Sequence, residues 1–276
     1  MRKPEGVGAG RGVVVALVLV LVTAGCSSSD DPPDARREGG ERTSSVTTTP
    51  PGGQPTGTDG PTPGATRFTP APERLPHDRA GALRLARAVS VEPASFGADF
   101  ARHASYESAD TTWAVLDDGC VWQRERLPAE VLASLTRRSV LPARAGRGAV
   151  DARTVVTVHR DVYGADREMA ATLEEVLRCP RQRLNADETI GELTSTSSLW
   201  GERGQATADD LIWERGSYRG RLAGGPHPYS WATARIGPLT LTVTVKGGTG
   251  HADDALTGML QKPLVELVQR TREALS

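Results

Sequence analysis

The sequence predicts an α+β domain: a twisted, mainly antiparallel sheet flanked by helices and preceded by a disordered tether. Three observations carry that expectation. Leu239-Thr-Leu-Thr-Val-Thr-Val-Lys246 alternates apolar and polar residues, the pattern of a strand with one buried and one wet face. Gly237-Pro238 joins it to the β-prone run Tyr229 to Ile236 by a turn so short that the two must be antiparallel neighbours. Finally, strands linked by short turns, with the longer helices between or after them, favour α+β over a regular βαβ alternation.

The chain opens differently from a domain. Arg2, Lys3 and Arg11 surround the start of an apolar run of about ten residues, Val13 to Val22, and Ala24-Gly25 stand just before Cys26. That run is too short to span a bilayer as a helix, which needs roughly 20 apolar residues. The segment resembles a bacterial lipobox, with Thr23 where an aliphatic residue is usual. The resemblance implies a signal peptide over 1–25 and a diacylated, palmitate-bearing Cys26. The protein would then be a lipoprotein held on the outer face of the cell membrane. An ordinary secretory signal with Cys26 as a free thiol is the plainer alternative.

Residues 26–75 are mostly Ser, Thr, Pro, Gly and Asp, with Pro32-Pro33, Pro50-Pro51-Gly52-Gly53 and Pro61-Thr62-Pro63-Gly64 among them. Such a stretch buries too little apolar surface to offset the entropy of ordering, so a disordered linker is expected. A coil of that length spans roughly 40 Å. Thr47-Thr48-Thr49-Pro50 has the composition of a glycosylated stalk as well as of a bare linker.

Residues 76–276 are the length of one domain with a sizeable core. The formal net charge of the chain is −1, which supplies no electrostatic footprint for nucleic acid. Its basic residues are almost all Arg, the lysines being Lys3, Lys246 and Lys262, a composition of actinobacterial style. With Cys26 given to lipid, Cys120 and Cys179 remain as an even pair in an oxidising compartment, where a disulfide is the default. It would close a loop of about 60 residues, worth at most roughly 4 kcal/mol in the chain-entropy model.

Along the domain, Asp78 caps a helix to about Val89, with Leu83, Ala86 and Val89 near one face. Thr112 to Arg124 reads as two β-prone runs about an Asp118-Gly119 hairpin turn, so that Cys120 begins a strand and shares a face with Trp122. Leu127, Val131, Leu132 and Leu135, behind Pro128 and ahead of Arg137-Arg138, predict an amphipathic helix. Thr154 to His159 is a strand by its β-branched residues. Asp166 is the expected cap of a helix with Met169, Leu173, Val176 and Leu177 on one stripe, ended by Cys179-Pro180. Leu211 to Tyr218 is a further strand and Ile190 to Thr196 a weaker one. Asp253 to about Leu275 is helical, with Pro263 either restarting or kinking it.

Signatures of catalysis are missing from the sequence. It holds no GxSxG, no HExxH, no glycine-rich phosphate loop followed by Lys and no CxxC. Lys246-Gly-Gly-Thr-Gly250 superficially matches the KTG element of penicillin-recognising enzymes, but Val243 and Met259 stand where the required Ser-x-x-Lys would put serine, and a turn after a strand explains the glycines. His77, His103, His159, His227 and His251 lack metal-ligand spacing. No cofactor is expected. The candidate binding residues are aromatic: Trp213, Tyr218, Tyr229 and Trp231 flank the loop Gly220 to Pro228 in a chain with only five Trp, four Tyr and three Phe. They suit either a sugar-stacking or apolar pocket or the packing of a hairpin core.

Val156-Thr-Val-His-Arg-Asp-Val-Tyr163, followed by Met169 to Cys179, gives a strand, an aromatic and an Ala-rich helix ending in Cys. This pattern resembles the PknH-like extracellular sensor domain of actinobacterial kinases and freestanding lipoproteins. Cys120 and the late alternating strand fit the same layout. The resemblance implies an antiparallel sheet around a cleft, and binding rather than catalysis. Two departures stand out: one Cys pair where those domains often have two, and Leu177-Arg178 where a Trp often precedes the last Cys. The expectation is a monomeric, non-enzymatic sensing or binding lipoprotein, with the membrane as partner through its lipid and a cell-wall or lipid ligand. A cell-envelope hydrolase whose site converges only in three dimensions is the alternative.

Overall fold

A computed structural model describes residues 68–196 and 208–276. The signal peptide, Cys26 and nearly all of the expected linker lie outside the described residues.

The centre is an eight-stranded sheet in which every neighbour is antiparallel, in the order β1 (Ala101–Glu107), β4 (Val131–Leu141), β5 (Val150–His159), β10 (Leu239–Lys246), β9 (Gly224–Ile236), β8 (Asp210–Gly220), β7 (Glu188–Thr196) and β6 (Gln182–Arg183). A separate hairpin pairs β2 (Thr112–Leu116) with β3 (Trp122–Arg126). Three helices pack on the sheet: α1 (Arg79–Val89), α2 (Val162–Arg178) and α3 (Asp253–Leu275). The α+β class is as the sequence predicts.

Helices α1 and α3 cover one face, where Leu135, Val156, Leu241, Val243, Ala232, Trp213 and Leu260 join one continuous core. At about 25 cal/mol per Å² of apolar area removed from water, this face supplies most of the cohesion. The Asp78 carboxylate caps α1 by accepting from Gly81 N at 2.7 Å. Pro263 sits inside α3, which runs through it as one helix. The other face carries α2, and β2 of the hairpin touches it at β4.

Four expectations need correction. Residues 131–141 form strand β4, not a helix. Val131 to Leu135 are buried at every position, so the run is a strand covered on both sides, whose apolar spacing happens also to fit a helical stripe. Cys120 lies in the hairpin loop with φ 59°, and β3 begins only at Trp122. The loop is longer than a two-residue turn because Asp117 closes it, its carboxylate accepting from Val121 N at 2.8 Å. Helix α2 is capped by Asp161, which accepts from Gly164 N, so Asp166 falls inside the helix. Strand β10 has no wet face: Thr240 and Thr242 are buried beneath α2, and only Thr244 is half-exposed. The edge strand β1, most of whose residues are exposed, was not legible as a strand at all.

Cys120 and Cys179 sit with sulfurs 2.06 Å apart and Cα atoms 5.6 Å apart. This link ties the C-terminal end of α2 to the hairpin loop. Arg178 adds to it by donating to the carbonyls of Asp117 and Leu116, and Trp122 Nε1 donates to Gln182 at 2.8 Å. Among the described residues no helix is long and apolar enough to cross a membrane.

Candidate functional site

The sheet face under α2 is polar because its inward positions are mostly Thr, Ser, Arg, Glu and Tyr. Strand registry arranges them in transverse rows. In the row nearest the start of α2, Arg235 is 1 % exposed and held by three acids. Its Nε donates to Asp210 at 2.7 Å and lies 2.9 Å from Asp166, while Nη1 lies 3.3 Å from Asp209. Nearby, His159 Nε2 and Thr240 Oγ1 both meet Glu168 Oε2, at 2.6 and 2.7 Å. Next come Thr233 and Thr242, whose hydroxyls are 2.5 Å apart.

At the opposite end of the face, Lys246 is buried. Its Nζ reaches Glu188 at 2.9 Å and Asp151 at 3.6 Å, and it sits 4.7 Å from the centre of the Tyr218 ring. Tyr218 also donates to Glu188, at 2.5 Å. Burial pushes the Glu188 carboxyl up, but the Tyr218 and Lys246 contacts outweigh it and hold the group below the usual carboxylate range. In both clusters every cation is paired with carboxylates, although His159 Nδ1 and Arg235 Nη2 make no hydrogen bond.

Between them runs a further row. Pairwise registry gives Arg138 on β4 opposite Arg153 on β5, then Thr244 on β10, Trp231 on β9, Glu214 on β8 and Ser195 on β7. With strands about 4.8 Å apart, the row is roughly 24 Å long. Arg138, Arg153, Thr244 and Trp231 are each half-exposed, whereas Thr233, Thr242, Tyr229 and Lys246 in the adjoining rows are buried. The buried side-chain atoms without a hydrogen-bond partner include three in this row, Arg138 Nε, Glu214 Oε1 and Ser195 Oγ, and two in the Arg235 cluster, His159 Nδ1 and Arg235 Nη2. Buried polar atoms are nearly always paired, so three in one line are informative.

Electrostatics divides the row into two ends. Burial, with Glu175 of α2 nearby, raises the Glu214 carboxyl to about 8, and burial raises Glu175 to about 7. At the other end burial lowers the Arg138 guanidinium from its ordinary value, aided by Arg153. Arg124, reaching in from β3, is lowered by burial and by both of those arginines. Like charges facing each other across a strand pair repel. The fold nevertheless brings three together.

The aromatic residues singled out in the sequence are divided by the sheet. Trp213, 1 % exposed, lies in the core beneath α1 and α3, on the face opposite the other three. Tyr218 and Tyr229, 4 % and 6 % exposed, form a smaller core with Val176, Ile190 and Leu193, against which Trp231 packs. Trp231 alone of the four is half-exposed and lies on the open row. Arg124, Arg138, Arg153, Thr244 and Glu214 were not singled out in the sequence. The available signal was Asp151-Ala-Arg-Thr-Val-Val-Thr-Val-His159, where an arginine sits inside a β-branched run; recognising its partner also required reading 131–141 as a strand.

Among the described residues no cluster of three or more His, Cys, Asp or Glu is arranged to hold a metal ion. Comparison with protein-family models and with curated proteins returns no match to this sequence.

Proposed function

We propose that the chain is an extracytoplasmic lipoprotein, anchored through Cys26, whose domain over 76–276 binds or senses a ligand without transforming it. The observation that carries this reading is the row from Arg138 to Glu214. It presents guanidinium groups without an acid partner among the described residues, beside a half-exposed hydroxyl and indole, between two clusters whose cations are paired with carboxylates. Those are recognition groups. The resemblance to the PknH-like sensor domain points the same way.

The hydrolase alternative finds less support in the geometry. His159 is buried and paired with an acid, as a catalytic histidine would be, but the nearby hydroxyl of Thr240 donates to Glu168 rather than to the imidazole. Both the hydroxyl and the ring are buried, and the unpartnered Nδ1 abuts Gly164 in the first turn of α2, where even a Cβ would come within 3.2 Å.

The test is binding by the full-length protein in detergent, followed by Trp fluorescence and calorimetry against soluble peptidoglycan fragments and short-chain phospholipids. Saturable binding that weakens at least about tenfold in Trp231→Ala supports the reading. Turnover of an envelope substrate that disappears in His159→Gln would overturn it. Cys26→Ser is expected to abolish lipid attachment and release the protein from the membrane fraction; an unchanged fraction and unchanged precursor processing would remove the anchor.

A further inference from the structure

We propose that the arginine end of the open row, Arg124, Arg138 and Arg153, is a binding site for a phosphate group, with the rest of the ligand lying along Thr244 toward Trp231. This deepens the binding reading above and rests on it.

The argument begins with how this fold treats its other enclosed cations. Arg235 has three carboxylates, Lys246 has two, and Arg137 has Glu92 and Glu107 at 3.3 and 3.1 Å. Arg138 is the next residue along β4 and points to the opposite face, where its treatment is reversed. Among the described residues no carboxylate lies within ion-pair distance of Arg138 or Arg153, and Arg138 Nε is buried without a partner. Arg124 spends one nitrogen on the carbonyl and hydroxyl of Thr112, at 2.7 and 3.1 Å, and meets no acid. Asp151 acts on Arg138 from beyond ion-pair distance and is itself engaged by Lys246 at 3.6 Å.

Partial burial makes the unneutralised guanidinium groups of Arg138 and Arg153 costly, exposed Arg124 adds a third like charge, and registry makes the cost unavoidable because Arg138 and Arg153 are direct cross-strand partners. An anion between them would remove the repulsion and satisfy Arg138 Nε. Guanidinium forks match the oxygens of phosphate in a bidentate way that a lone ammonium cannot. The charge balance at the arginine end of the face agrees, whereas the far end sets Arg235 against Asp166, Asp209 and Asp210. Arg124, Arg138, Arg153 and Lys246 face Asp151 and Glu188, while burial holds Glu214 largely protonated near neutral pH and raises Glu175 to about 7, so that it carries only part of a charge. A net positive charge is left at the arginine end. Registry places Arg153 beside Thr244 and Thr244 beside Trp231, which sets Arg153 on the Trp231 side of the cluster.

The phosphate could be a free or sugar-borne group or a lipid headgroup. The full-length protein in detergent is titrated with inorganic phosphate, sn-glycerol 3-phosphate and monomeric dihexanoylphosphatidylglycerol, with sodium chloride at matched ionic strength as the reference and peptidoglycan fragments as a separate arm. Thermal unfolding and Trp fluorescence are both read. The expected result is a Tm rise of about 2–4 °C with a phosphate probe at saturation over the chloride reference. In Arg153→Gln that rise should vanish, while its Tm without ligand equals or exceeds that of the unchanged protein. Response to the soluble phosphates assigns a free or sugar-borne group; response to the lipid alone assigns a headgroup. Absence of any rise above chloride, or an equal rise in Arg153→Gln and Arg138→Gln, overturns the site. If fluorescence then still reports saturable binding of the peptidoglycan fragments, the phosphate assignment has failed and the binding function stands; silence in every arm defeats both.

Discussion

Glu214 shows how one side chain can report the state of the open row. Burial makes its charged form expensive and lifts its carboxyl to about 8, with Glu175 adding repulsion. A carboxyl whose folded value is raised above its unfolded one binds its proton more tightly when folded. Its stabilising contribution is therefore complete below about pH 4.5 and is lost as pH rises toward 8. Each tenfold difference in proton affinity is worth about 1.4 kcal/mol. Glu214→Gln should consequently unfold with a flatter pH dependence, and be more stable than the parent at pH 9 by about 2–4 kcal/mol. Denaturant titrations at pH 5, 7 and 9 measure this, and parallel pH profiles for the two proteins would show that Glu214 ionises freely in the fold. The aromatic set carries a lesson at the same scale. Trp213 and Trp231 were indistinguishable as letters, both flanking one hairpin loop. Strand parity sends Trp213 to the apolar face and Trp231 to the polar one, so Trp213→Ala should cost about 3–5 kcal/mol and Trp231→Ala about 1 kcal/mol or less, by the same titration. Comparable costs at the two positions would contradict that division.

At the scale of elements, what the sequence made legible followed the strength of its periodicity. Strand β10 and helices α1 and α3 could be read because alternation or a helical stripe is unbroken in each, and the Asp78 cap because its chemistry is local. Strand β4 could not. A strand buried on both sides loses its alternation, and Val131, Leu132 and Leu135 then mimic a helical face. That misreading also hid the candidate site, since Arg138 as the end of a helix has no reason to meet Arg153. The cysteines, by contrast, needed no periodicity, only parity and compartment. Their link closes a separation of 59 residues and pins α2 to the hairpin that carries Arg124. The double variant Cys120→Ser, Cys179→Ser should lose about 2–4 kcal/mol of stability. The loss should concentrate in hydrogen-exchange protection at the C-terminal turns of α2 and in β2–β3, with the core under α1 and α3 retained. Uniform loss of protection across all three helices would mean that the link holds the whole fold rather than one corner.

For the domain as a whole, the two sheet faces have different tasks, and its edge strands are poor templates for further strands. One face is apolar and sealed by α1 and α3; the other is polar and only partly covered by α2 and the hairpin, which is where unspent groups can persist. The edges matter because a long antiparallel sheet with open hydrogen-bonding groups is a template for a second copy. Edge strand β1 carries Arg102, His103 and Glu107, with Arg102 paired to Glu92 at 2.8 Å and Glu107 to Arg87 and Arg137 at 3.3 and 3.1 Å. Its register to β4 also slips between Arg102 and Glu107, which bends the edge out of line. At the other edge β6 is only two residues long. Charged, irregular and short edges disfavour strand addition, so the full-length protein should sediment as a monomer in density-matched detergent across the micromolar range. Replacing Arg102 and Glu107 by Val should promote self-association through β1, seen as a concentration-dependent rise in sedimentation coefficient. If the unmodified protein already sediments as a dimer, and Pro in place of Ser105 on β1 abolishes it, the edge is an interface and the guarding role assigned to these charges is wrong.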